Sequence, residues 1–141
     1  MGIDIPQHNS PDSYFECLLL KCINRIGRGS TRDVYEIPNC NKVLKISNRP
    51  SNFSNWCEIV VYQHNKDNGN LAEIFSWSTS GKFIIMEKLT PIESADEMEG
   101  FSYPDYLTDR KRENYGKDSE GNIKALDYAL LKFVESTFPS F

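Results

Sequence analysis

The sequence predicts an α+β fold: an antiparallel sheet carrying helices. Three observations predict it. Apolar residues first recur at helical spacing, then several short apolar runs alternate or stand between turn signals, and a second helical stretch interrupts those runs once. At 141 residues the chain has room for one domain with a real core, and 39% hydrophobic with 26% charged residues is ordinary for a globular chain.

Ser10-Pro11-Asp12 reads as a helix start, with Ser10 as N-cap, Pro11 in the first turn and Asp12 near the positive end of the dipole. Phe15, Leu18, Leu19, Cys22 and Ile23 then define one apolar face. Within Asn24–Ile37, two apolar, strand-like pieces then flank a turn rich in Gly, Ser and Thr. In that turn Gly27 and Gly29 either let backbone N–H groups close on a phosphate or simply form a hairpin loop.

After Pro38-Asn39-Cys40-Asn41, the run Lys42–Ile46 alternates so that Lys45 shares a face with Val43. A lysine on a half-buried face either meets an anion or snorkels to solvent. Ser54 opens a helix to about His64, with Trp56, Ile59, Val60 and Gln63 on one face and Glu58 beside it. Leu71–Trp77 and Lys82–Met86 read as a hairpin joined by Ser78–Gly81. The acidic stretch Glu93–Glu99 reads as a solvated loop rather than a brief helix. Tyr115 to Leu126 reads as a second hairpin, turning at Asp118–Asn122, which brings Asn114 and Asp127 close in space. The apolar tail around Leu130, Phe133 and Phe138 reads as a last helix stopped by Pro139.

Charge and cysteine usage exclude some classes. A net charge of −4 gives no basic footprint for nucleic acid, apart from the local run Arg110-Lys111-Arg112. Four cysteines without C-x-x-C, and only two histidines, do not make a zinc site. No secretory or membrane-spanning run is visible, so a cytoplasmic protein with reduced thiols and no membrane partner is expected.

The run Asp109-Arg110-Lys111-Arg112-Glu113-Asn114, with Asp127 thirteen residues beyond Asn114, gathers groups suited to phosphate and a hard divalent cation. With the motifs upstream, it resembles the protein-kinase family in a pared-down form, of the type found in small kinase-like proteins of phages and bacteria. Ile26–Tyr35 is similar to the Gly-rich loop, with Gly27, Gly29 and Val34 in place and Arg32 where the third glycine belongs. Val43-Leu44-Lys45 resembles the strand lysine motif, and Glu58 the helix glutamate that pairs with it. Ile84–Leu89 resembles the hinge, whose backbone, around Glu87 and Leu89, binds adenine.

Thr108–Asn114 is similar to the catalytic loop, and Leu126-Asp127-Tyr128-Ala129 to the D-F-G segment. The resemblance implies ATP and Mg²⁺ as cofactors. It gives Lys45 the α/β-phosphates, Asp109 the base role, Lys111 the γ-phosphate, and Asn114 and Asp127 the metal.

It also implies a single kinase-like domain, with residues 1–89 as N-lobe and hinge and residues 90–141 as a strongly reduced C-lobe. About twenty residues separate the hinge from Asp109 and fourteen follow Asp127, leaving no room for an A-P-E segment or a substrate platform. Three functional readings follow: phosphoryl transfer, including autophosphorylation; an inactive, kinase-like module that regulates or inhibits a host or phage protein; or an α+β domain whose charged motif is surface decoration.

Overall fold

Turn chemistry and strand alternation build two antiparallel sheets in the computed structural model, which describes residues 5–28, 32–48, 54–104 and 111–128. Over those residues the chain is mixed α and β, and it divides into two compact units: Met1–Trp56 with Glu73–Lys88, and Cys57–Ala72 with Leu89–Phe141. None of the helices among the described residues is long and apolar enough to cross a membrane.

The first unit holds a five-stranded sheet of β1 (Asn24–Arg28), β2 (Arg32–Glu36), β3 (Lys42–Ser47), β4 (Ile74–Trp77) and β5 (Phe83–Glu87), in the order β1-β2-β3-β5-β4. Two turns fix the pairing. Asn39 takes a left-handed φ of 62° between β2 and β3, a conformation that asparagine tolerates. Gly81 takes φ 79° between β4 and β5, where a Cβ would also lie 2.3 Å from the Trp56 indole. A side chain there is excluded twice over.

Helix α1 (Asp12–Leu19) covers one face of this sheet. Phe15 and Leu18 bury against Ile37, Leu44, Phe83 and Ile85, and the Phe15 and Phe83 rings stack with centroids 5.7 Å apart. Ser10 does not cap the helix: Pro11 is the N-cap residue, and Ser10 bridges to Ser78 while its carbonyl accepts from Thr79 N–H at 2.9 Å. Asp12 instead turns to the β4–β5 connection, accepting from the Ser80 hydroxyl at 2.6 Å. Burial raises the Asp12 pKa, but the hydrogen bonds from Ser80 and Ser78 outweigh it and hold the carboxyl below its usual value.

The apolar face expected to run to Ile23 stops early. The helix ends at Leu19, Lys21 and Cys22 close tight three-residue turns, and Ile23 is left 85% exposed.

The second unit takes most of helix α2 (Ser54–Asn65), which gives way to a 3-10 turn closed by Gly69 at φ 73°. Its buried positions are Asn55, Glu58, Ile59 and Val61, whereas Gln63 is exposed and Trp56 and Val60 are half-buried. Of the face expected from Trp56, Ile59, Val60 and Gln63, Ile59 alone is buried, and Glu58 lies within the buried face rather than beside it.

A small sheet joins β6 (Thr90–Pro91), β7 (Tyr115–Lys117) and β8 (Ile123–Ala125) in that order. Asp118 pins the β7–β8 turn by accepting N–H bonds from Glu120 and Asn122, both at 2.9 Å. Phe101, Tyr103 and Tyr115 pack edge to face, with centroids 5.2 to 5.6 Å apart.

The acidic stretch is not a plain loop. Ala95–Met98 forms a 3-10 turn with a capping box of Ser94 and Glu97, and Met98 is buried beneath it. The Glu97 carboxylate satisfies the Glu93 and Ser94 N–H groups and pairs with Lys117. The expected C-terminal helix lies outside the described residues.

Candidate functional site

In antiparallel strands, directly paired residues share a face, as do residues two apart along one strand. The pairs Gly27↔Val34, Val34↔Lys45 and Lys45↔Ile84, with Glu36↔Val43 and Val43↔Met86, therefore place Gly27, Val34, Val43, Lys45, Ile84 and Met86 on one face of the first sheet. This is the face opposite the one that α1 covers.

Lys45 is 3% exposed there, so it does not snorkel. Its neighbours Val43, Ile84 and Met86 are buried and Val34 is half-buried, forming an apolar surface with a cation set in it. Gly27 keeps the surface open beside Val34, whose Cβ would lie 3.4 Å from a side chain at that position. Arg32 and Ser47, paired with each other at the end of β2 and β3, continue the same face.

At the far end of β5, Glu87 is tied to Glu73: its N–H donates to the Glu73 carbonyl at 2.8 Å, and its Oε1 accepts from Glu73 N–H at 3.1 Å. Lys88 N–H donates to the Asn41 carbonyl at 3.0 Å. Leu89 belongs to the second unit, where it is buried against Gly116; a Cβ on that glycine would lie 2.6 Å from the Leu89 Cβ.

Within the second unit, residues far apart in sequence meet around the β7–β8 hairpin. Glu58, fully buried on α2, accepts a 2.8 Å hydrogen bond at Oε2 from the backbone N–H of Tyr128. Tyr128 is itself fully buried, and its hydroxyl donates to the Ala72 carbonyl at 3.0 Å. Tyr128, immediately after Asp127, is therefore fixed through both its backbone and its side chain.

The hairpin expected to bring Asn114 and Asp127 together is present. Its open end is closed by the Asn114 carbonyl, which accepts from Leu126 N–H at 2.9 Å and from Asp127 N–H at 3.4 Å. Both residues are half-buried. Lys111 is exposed, and its carbonyl accepts from Asn114 N–H at 3.0 Å, closing the short 3-10 turn Arg112–Asn114. Gly29 and Asp109 lie outside the described residues.

The backbones of Asn114 and Asp127 meet here, and their side chains, an amide and a carboxylate, carry oxygens of the kind that hard cations prefer. Among the described residues, no three His, Cys, Asp or Glu side chains gather into a metal cage, so such a cation would need phosphate or water oxygens as well.

Two contributors escaped the sequence reading. Tyr128 was visible as the middle residue of a D-F-G-like segment, but its anchoring to Glu58 and Ala72 was not. Asn55, 1% exposed at the start of α2, carries no apolar signal, yet its Nδ2 donates to the carbonyls of Gly81 and Lys82 at 2.9 and 2.8 Å.

No protein-family model matches the chain, and no curated protein matches it either.

Proposed function

We propose that this chain is a minimal protein-kinase-like protein that binds ATP with Mg²⁺. The observation that carries the reading is the convergence, inside the second unit, of motifs distant in sequence. Glu58 holds the backbone immediately after Asp127, seventy residues away along the chain, and Asn114 closes the hairpin onto Asp127 itself. A chance scatter of charged residues gives no reason for a fully buried glutamate to meet that one peptide, since burying a carboxylate is costly unless it is well bonded.

The Lys45 face of the first unit supports the same reading. An apolar sheet surface suits a flat base, and a nearly buried ammonium suits phosphate oxygens. On this reading Asn114 and Asp127 would hold Mg²⁺ together with phosphate oxygens. The cation would supply charge neutralisation, while the chain's own part is to bind and orient the nucleotide. Phosphoryl transfer asks little more of a protein than positioning and charge stabilisation.

A second reading, a nucleotide-binding module that acts by docking on another protein, is favoured by one observation. Leu20 and Ile23, each 85% exposed, follow the end of α1, and Tyr14, 59% exposed, lies in its first turn.

Calorimetric titration with ATP and Mg²⁺, for the native chain and Lys45→Ala, tests the shared core of both readings. ATP binding that Lys45→Ala weakens is the expected result, and equal binding by the two chains would undo the assignment of Lys45. Following labelled γ-phosphate then separates the readings: appearance on the chain or in solution supports transfer, and its retention on bound ATP supports the docking module.

A further inference from the structure

Two half-buried cysteines of the first unit take no part in the site described above. Cys22 follows the end of α1, and Cys40 lies in the turn between β2 and β3. Both thiols are free, and both pack against one core cluster, that of Phe15, Leu18, Ile37, Leu44, Phe83 and Ile85.

Local bonds set each sulfur on that cluster. The Cys22 Sγ donates to the Leu18 carbonyl at 3.5 Å and the Cys40 Sγ to the Ile37 carbonyl at 3.8 Å, and Leu18 and Ile37 are themselves cluster members. Strand register brings the two segments to one place. β1 pairs with β2 through Asn24↔Glu36, and that register, carried one two-residue step outward, sets Cys22 level with Pro38 at the head of the turn that holds Cys40. The turn closes at once, with Ile37 N–H donating to the Lys42 carbonyl at 3.1 Å, so Cys40 stays beside it. The two thiols are near enough to feel each other's charge: burial raises the Cys22 pKa, and the Cys40 thiol raises it further.

Hydrogen bonds from thiols to carbonyls are weak, so exchanging both for a covalent bond costs little. A disulfide here would close a loop of about twenty residues that contains β1, Gly27 and β2. Within the sheet β1 is an edge strand paired with β2 alone, and Ile23 and Ile26 beside and within it are 85% and 50% exposed. An exposed edge is where local opening costs least, and a cross-link at its start has most to add there.

We propose that Cys22 and Cys40 form a redox-sensitive pair, which a peroxide converts to a disulfide stapling the start of β1 to the β2–β3 turn. The proposal stands apart from the ATP-binding reading, and neither depends on the other. Burial of Cys22 makes Cys40 the first sulfur to react: its thiolate attacks the peroxide O–O bond, giving a sulfenic acid and one water. The Cys22 thiolate then attacks that sulfur, the S–S bond forms, and the hydroxyl leaves as a second water with the proton Cys22 gave up. Two thiols are oxidised by two electrons in all, and one hydrogen peroxide is reduced to two waters.

Treatment of the reduced full chain with hydrogen peroxide tests it, followed by alkylation of remaining thiols, digestion and mass spectrometry, for the native protein and for Cys22→Ser, Cys40→Ser, Cys17→Ser and Cys57→Ser. A peptide pair linked through Cys22 and Cys40 is expected in the native chain, in Cys17→Ser and in Cys57→Ser, and in neither of the other two. It should form faster at pH 9 than at pH 7, because Cys22 must ionise to close the bond. The melting temperature of the oxidised native chain should rise by about 5–10 °C and return on adding dithiothreitol, with no such rise in Cys22→Ser.

If Cys22→Ser or Cys40→Ser fails to fold, as judged by circular dichroism, the native chain and Cys17→Ser carry the test through the linked peptide and its reversal. Cysteines that pair otherwise, link two chains, or pass to sulfinic acid without joining overturn the pair. A Cys22–Cys40 bond that leaves the melting temperature unchanged or lowers it overturns the staple.

Discussion

Replacing Glu58 by alanine removes the acceptor that holds the Tyr128 N–H at 2.8 Å, inside a part of the second unit where both residues are fully buried. A hydrogen bond to a charged group contributes about 1.5–3 kcal/mol, and an orphaned buried N–H costs a comparable amount when nothing replaces its partner. Taking about 2–3 kcal/mol for the whole change, at roughly 3 °C per kcal/mol for a chain of this size, the melting temperature should fall by about 6–9 °C. Glu58→Gln keeps a side-chain oxygen in reach of the N–H and loses the charge assistance, so about half that fall is expected. Thermal unfolding followed by far-ultraviolet circular dichroism at neutral pH reads both. A Glu58→Ala chain melting within about 1 °C of native would refute the reasoning, because a buried carboxylate cannot be both a main anchor of the Asp127–Tyr128 segment and dispensable.

Two other perturbations probe the second unit. Gly116→Ala forces a Cβ to within 2.6 Å of the Leu89 Cβ and 3.0 Å of the Thr90 carbonyl oxygen, so β6 and β7 must separate. Overpacking of this kind costs about 1–3 kcal/mol, read as a lower urea midpoint, and an unchanged midpoint would contradict the close approach. The Glu97 carboxyl is held at about 2 by its Lys117 partner and by the Ser94 and Glu93 N–H groups, below its usual 4.5. A folded-state pKa below the unfolded one gives stability that is present above the unfolded value and lost as pH falls through the folded value. Urea midpoints for native and Glu97→Gln should therefore differ at pH 6 and converge between about pH 4.5 and pH 2, and a gap that persists at pH 2 would contradict the capping box.

What the sequence made legible, and what it hid, follows from where the physical signal sits. Alternation across Val43 and Lys45 is a local pattern, and the register bears it out because each face of β3 packs differently. The β7–β8 hairpin was readable from its turn, since Asp118 supplies the acceptor that such a turn needs. The buried side of α2 was hidden because two of its members, Asn55 and Glu58, are polar and become core residues only through partners distant along the chain. Hydrophobic periodicity cannot see such positions, and of the residues it chose, Trp56, Ile59, Val60 and Gln63, Ile59 alone is buried.

The early end of α1 was missed for a related reason. Cys22 and Ile23 continue the apolar spacing, but only Cys22 reaches the core; burial raises its thiol pKa, with the neighbouring Cys40 thiol adding to the effect. The Ser94–Glu97 capping box was written plainly as S-x-x-E, but the surrounding acidic residues made a solvated loop the simpler reading. Of the candidate site, the order and spacing of the motifs were visible. The closeness of Asn114 to Asp127 was legible from the hairpin between them, whereas the bond from Tyr128 N–H to Glu58 joins residues that no short window contains.

The central claim, that this chain binds ATP with Mg²⁺, is tested most directly by its melting temperature with and without both ligands, beside the same pair of measurements on Asp127→Ala. A ligand at a hundred times its Kd adds about 2.7 kcal/mol to stability, which at this chain length is a rise of about 8 °C. The account predicts that rise for the native chain, a dependence on Mg²⁺, and loss of the Mg²⁺-dependent part in Asp127→Ala. No rise in the native chain at saturating ATP and Mg²⁺ would contradict it.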